Sequence, residues 1–128
     1  MSQLAIDMGK FLAFKSQGIV GTDIFYGEFI PDPDNVIIIL DQAGKTNLES
    51  SVADSLLIIF VRNVSYNTSY NKAFSIQSLI HKKENLFVGV SGVIRNIGFS
   101  YTRRLPLYEG EDLRRRHLWS VECFLFNK

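Results

Sequence analysis

Apolar residues return every three to four positions near the start of the chain. Leu4, Met8, Phe11 and Leu12, with the stem of Lys15, line one face of a helix over residues 2–16. Ser2 is its N-cap candidate and Gly18 its stop. The period then changes. Residues 23–30 carry aromatics on both faces and read as a strand. The run Pro31-Asp32-Pro33-Asp34-Asn35 cannot continue it, because each proline fixes φ and lacks an amide donor. Val36–Leu40 and Leu56–Val61 are unbroken apolar blocks. They are short and rich in β-branched or aromatic side chains, which fits strands buried on both faces. Asp41–Asp54 between them is a polar loop containing Gly44, and loops of that length are usually functional or mobile.

The second half repeats the alternation of periods. Residues 68–82 form a second helix, with Tyr70, Ala73, Phe74, Gln77 and Ile80 on one side and Ile76 and Leu79 beside it. Thr68 or Ser69 is the expected cap. Leu86–Val90 is a weaker apolar piece, interrupted by Gly89. Val93–Thr102 and His117–Phe126 alternate with period two, the signature of strands with one drier face. The order is helix, three strands, helix, two strands. It predicts an α+β fold: a small, mostly antiparallel (mixed) β-sheet of about five strands with two helices packed on one face.

Composition narrows the class. At 128 residues, with 46% apolar residues and a net charge of +1, the chain predicts one ordered domain over residues 1–128. Cys123 is the sole cysteine, which excludes a disulfide scaffold. No apolar run reaches the length of a membrane span and the start lacks a secretory pattern, so a soluble protein of a reducing compartment is expected. The charge is split along the chain. Residues 1–60 hold three lysines against eight acids, and residues 61–128 hold eleven basic residues against five acids. Either the two sets interleave within one folded chain, or acidic and basic surfaces of separate copies meet head to tail.

Candidate chemistry is sparse. Gly44-Lys45-Thr46 resembles the end of a phosphate loop, but Ile39 stands where that motif needs its first glycine. His81 and His117 have no partner in sequence, and two histidines with one cysteine make a poor zinc set. Cys123 alternates with Trp119 and Val121, as a core thiol would. Asp32, Asp34 and Asp41 form no acid–base pair by spacing. No enzyme, metal or cofactor is expected. Arg103, Arg104 and Arg114–Arg116, interleaved with Tyr101, Tyr108 and Trp119, admit a small nucleic-acid-binding α+β module. Glu109, Glu111 and Asp112 in the same stretch offset much of that basic charge and favour a solvated charged hairpin loop over nucleic-acid binding, with a protein contact as a third reading.

The order of elements is itself familiar. A proline–aspartate turn, Pro31–Asn35, runs straight into the apolar strand Val36–Leu40 and Asp41. A strand ends in Val61-Arg62, and a helix follows with Tyr70 and Ala73 early in it. Gly110-Glu111-Asp112-Leu113-Arg114-Arg115-Arg116 precedes the aromatic-rich last strand from Trp119 to Phe124. Over nearly its whole length the chain resembles the small minor capsid, or tail terminator, proteins of long-tailed bacteriophages. In this chain the turn is shortened and three arginines replace a looser basic position.

The resemblance implies a structural virion protein at the tail–head junction, assembled in the host cytoplasm. Copies would form a homo-oligomer, a hexameric ring, that caps the tail tube protein and stops its polymerisation. The ring would dock to the head completion or connector protein and let DNA pass through its lumen without specific binding. A head completion protein of the phage neck is the neighbouring alternative. The expected contacts use Asp41, Lys45, Glu49 and Asp54 from the first loop. From the second they use Arg103, Arg104, Glu109, Glu111, Asp112, Arg114, Arg115 and Arg116. Apolar support would come from Phe25, Phe29 or Leu105 with Leu107, since exposed charge pairs are individually worth only about 0–1 kcal/mol.

Overall fold

The structure is a computed structural model that describes residues 3–41, 55–90, 93–102 and 105–127. The elements run α1 (Gln3–Phe14), β1 (Ile24–Tyr26), β2 (Val36–Asp41), β3 (Ser55–Asn63), α2 (Tyr66–Ile80), β4 (Lys83–Val90), β5 (Val93–Thr102), β6 (Leu107–Glu111) and β7 (His117–Asn127). The fold is α+β, with both helices packed against a mixed sheet. Strand order is β1-β2-β3-β7-β5-β4, with β6 also pairing with β7. Among the described strands β1 and β2 run parallel and the other named pairs are antiparallel. β5 and β6 lie end to end along one side of β7, pairing with its last and first residues respectively.

The apolar periods map directly onto the core. Ile37 and Ile39, then Leu57, Ile59 and Val61, then Trp119, Val121, Cys123 and Leu125 point to one face of three adjacent strands. Ala5, Met8, Phe11 and Leu12 of α1 and Ala73, Ile76 and Ile80 of α2 close over that face. Cys123 is fully buried, and burial pushes its thiol well above the ordinary value, so it packs as a small apolar group. No helix among the described residues is long and apolar enough to cross a membrane.

Element ends differ from the sequence reading for local reasons. α1 stops at Phe14, short of Gly18. Ser16 takes the left-handed conformation (φ 62°), and the Gln17 amide donates to the Leu12 carbonyl at 2.8 Å, closing the helix end. α2 begins at Tyr66 because Ser65, not Thr68 or Ser69, is its cap: Ser65 Oγ accepts from the Thr68 amide at 3.2 Å. Ser69 instead is buried under Trp119. The strand expected over residues 23–30 shrinks to Ile24–Tyr26, since Gly27 turns the chain with φ 91°. The weak piece at Leu86–Val90 is the second part of a longer edge strand, β4, which begins at Lys83. β6 lies inside the stretch read as the second polar loop.

One glycine is required by close approach. A Cβ on Gly9 would land on the ring and hydroxyl of Tyr26, whose Oη donates to the Ile6 carbonyl at 3.2 Å. Without that neighbour, Gly9→Ala would stabilise the helix by about 1 kcal/mol. Here it should destabilise the protein in urea unfolding. Combined with Tyr26→Ala, the same substitution should become stabilising. A gain from Gly9→Ala alone would show that α1 does not rest on β1 in this way.

Candidate functional site

Three guanidiniums converge on one turn. Arg62 ends the apolar run of β3, opposite Val36, next to the Pro31–Asn35 turn. Its Nε donates to the Asp34 carbonyl at 3.3 Å and its Nη2 to the Pro33 carbonyl at 2.8 Å. Arg116 reaches the same turn from the start of β7: Nη1 donates to the Pro31 carbonyl and, at 3.4 Å, to Asp34 Oδ1. Arg114 Nη1 donates to the Pro31 carbonyl and to Asp32 Oδ1, both at 3.0 Å. Arg62 and Arg116 are buried, at 5% and 6% exposure. A buried guanidinium with five fixed donors is tolerable only where acceptors surround it, and backbone carbonyls of a turn are free to serve. Burial, reinforced by the like charge of Arg116, lowers the Arg62 pKa from its ordinary value.

Asp112 organises the opposite wall. Its Oδ1 accepts from the amides of Arg114 (2.9 Å) and Arg116 (3.0 Å), and its Oδ2 from Arg116 Nε (2.8 Å). The Asp112 and Arg116 main chains close the turn, with the Asp112 amide donating to the Arg116 carbonyl at 3.0 Å. Desolvation acts to raise the Asp112 pKa, but the Arg116 and Arg114 donors outweigh it and hold the carboxyl below its ordinary value.

Beside the clamp lies an aromatic cluster. Tyr66 stacks edge-on with Tyr108, His117 and Trp119 at centroid distances of 5.3, 5.4 and 5.3 Å. Tyr108 lies 4.9 Å from Trp119, and Tyr70 lies 5.1 Å from it. Tyr108 Oη meets His117 Nδ1 at 2.9 Å, and His117 Nε2 stands 3.8 Å from Glu111. Trp119 Nε1 donates to Ser69 Oγ at 2.9 Å, which anchors the indole beneath the tyrosines. Burial and the nearby Glu111 raise the Tyr108 pKa.

The residues expected at an interface fall into three groups. Lys45, Glu49, Asp54, Arg103 and Arg104 lie outside the described residues. Asp112, Arg114 and Arg116 sit together in the clamp, and Glu111 with His117 beside it. Glu109 accepts from Ser120 Oγ at 2.6 Å, Asp41 ends β2, and Arg115 is exposed with φ 60°. Arg62, Asp32, Asp34, Tyr66 and Tyr70 were not among the expected site residues. The signal for Arg62 was an arginine at the end of an apolar strand; Tyr70 was legible only as part of the apolar side of the second helix, and Tyr66 lay just ahead of the residues read as that helix.

His81 caps the end of α2, and its Nδ1 accepts from the Thr102 amide at 3.1 Å. Among the described residues no group of three or more histidines, cysteines or acids is placed to hold a metal ion. A cleft of about 60 Å³ lined by Gln17, Asp23, Asn35, Arg62, Asn63 and Lys72 has room for water rather than for a metabolite. Comparison with protein-family models, curated proteins and solved structures finds no match for this chain.

The clamp predicts unequal arginines. Arg116→Ala strands Asp112 Oδ2, removes one of the two donors to the Pro31 carbonyl and leaves Asp34 Oδ1 without this donor, and should cost about 1–3 kcal/mol in chemical denaturation. Arg114→Ala removes an exposed pair and should cost at most about 1 kcal/mol. Arg116→Lys should not restore stability, because one ammonium cannot reproduce the fork. Equal losses at the two positions would refute the clamp.

The lowered Asp112 pKa sets an acid limb. The carboxyl gives up its proton more readily folded than unfolded. Its stabilisation is therefore complete above the unfolded value, about 3.9, and disappears as pH falls through the lower folded value. Asp112→Asn should flatten that limb in thermal melts between about pH 5 and pH 2. An unchanged acid limb would show that Asp112 does not contribute to it.

Proposed function

We propose that this chain is a structural subunit that assembles with copies of itself into a ring, as a tail terminator of a long-tailed phage does. The observation that carries this reading is the contact between the two segments on which the resemblance chiefly rests. The Pro31–Asn35 turn and the Gly110–Arg116 segment lie far apart in the chain, yet Arg114 and Arg116 bind the first directly to the second through residues 82 to 85 positions away. The resemblance thus falls on two segments that form one structural unit rather than on scattered matches. A rigid tip and turn at one end of a small α+β domain suits a part whose work is docking.

The clamp weighs against the nucleic-acid reading. Arg116 is buried and Arg114 faces Asp32, so two of the three clustered arginines are occupied within the chain. Native mass spectrometry across protein concentration, with the absorbance ratio recorded for bound nucleic acid, tests the proposal. The expected species is a six-subunit ring free of nucleic acid, or a monomer that becomes ring-bound when tail tubes are added. A monomer that ignores tube ends and binds short oligonucleotides in a salt-sensitive way would overturn it.

A further inference from the structure

We propose that the tip of the β6–β7 hairpin, led by Leu113 and Arg115, docks into the aromatic cluster around Tyr66 and Tyr108 on a second copy of the chain. This rests on the self-assembly reading and names the surfaces that would carry it.

The tip is built to project. Leu113 is fully exposed, at 103%. The turn that carries it is fixed by the Asp112 carboxylate, which takes three donors from Arg114 and Arg116. Little conformational freedom remains there to be lost on binding, which favours affinity. Arg115 stands beside Leu113 in the left-handed conformation, and it is the one arginine of the run Arg114–Arg116 with no acid against it. The tip therefore offers an apolar knob and an unengaged cation.

The socket offers the complement. Tyr66 and Tyr108 are 48% and 39% exposed over the buried Trp119, and Phe74 of the same helix is 43% exposed. Tyrosine and tryptophan are over-represented where protein interfaces hold their binding energy. Glu111 lies at the rim, half-exposed, 3.8 Å from His117 Nε2 and close to Tyr108. Tyrosine ring faces and a carboxylate together suit a guanidinium, while the rings take the leucine. A chain cannot fill this socket with its own tip. Arg114 and Arg116 hold the tip on the Pro31–Asp34 turn, and the exposure of Leu113 shows that it touches nothing there.

Trp119 is the single tryptophan, so its fluorescence reports on the socket directly. Sedimentation velocity and Trp119 emission should be followed together over a concentration series, with tube ends added where the free chain stays monomeric. Leu113→Asp is expected to weaken association about tenfold or more. Arg115→Glu should weaken it too, and Glu111→Arg in the same chain should restore it. Thermal melts control for folding, since these are exposed positions. In a mixing test, Leu113→Asp and Glu111→Arg proteins should each fail alone and form heterodimers when combined, because one intact tip then meets one intact socket. Association unaffected by Leu113→Asp, or failed complementation, would overturn this contact and leave the ring reading standing. No association of the wild-type chain, with or without tube ends, would overturn both.

Discussion

Two guanidiniums buried at the end of a sheet must be answered by acceptors, and that demand organises this end of the molecule. Arg62 and Arg116 take theirs from the carbonyls of Pro31, Pro33 and Asp34 and from the carboxylate of Asp112. A turn with two prolines has few amides, so its carbonyls are not consumed by ladder pairing. The turn gains an anchor that its own backbone cannot supply, and the guanidiniums gain neutral and anionic partners. The turn lies in the connection between the parallel strands β1 and β2. The chain leaves β1 at Gly27, is held at residues 31–34, and re-enters the sheet at Val36 beside the strand it left.

The core was legible because periodicity reports burial directly. Met8, Phe11 and Leu12, Ala73 and Ile80, and the alternation from Trp119 to Leu125 fall where the pattern puts them, whereas Phe74, read onto the same side of the helix, is 43% exposed and Ile76 is buried in its place. β6 was not legible, because Leu107–Glu111 is short, mostly exposed and broken in register between Tyr108 and Gly110. Its pairing depends on β7 rather than on its own residues. The cap of α2 was misplaced because Ser65, Thr68 and Ser69 are all competent, and only the burial of Ser69 under Trp119 distinguishes them. The clamp was hidden for a different reason. Arg114 and Arg116 meet acceptors in the Pro31–Asp34 turn 82 to 85 positions away, and the local Asp112–Arg116 spacing does not reveal that second set of partners.

The strands β2 and β3 are apolar on both faces, and the helices cover only one. On the other face Ile38 is nonetheless fully buried, and Phe29 packs edge-on against Phe60 at 4.9 Å. The segment leaving β1 thus covers part of that face with its own aromatic side chain. Phe25 and Leu107, both named from sequence as apolar contact residues, share that side of the sheet through their register with Ile38 and Ser120. The double-sided hydrophobicity of these strands is therefore met in part by a loop rather than by a third layer.

This changes what the split of charge along the chain means. An acidic first half and a basic second half allow either copies joined acid to base or the two sets interleaving within one chain. At the clamp the acids of the first half, Asp32 and Asp34, meet the bases of the second, Arg114 and Arg116, inside one chain. Charge used internally cannot also drive association. Exposed ion pairs would contribute little in any case, because water screens them and long side chains must be ordered to form them. An assembly built from this subunit must therefore draw its cohesion from apolar and aromatic groups, with charge setting register. The clamp makes that workable. By fixing the hairpin tip before any partner arrives, it leaves a leucine, one cation and a cluster of tyrosines in settled positions. The proposed association would then lose little entropy, and its specificity would come from shape as well as charge.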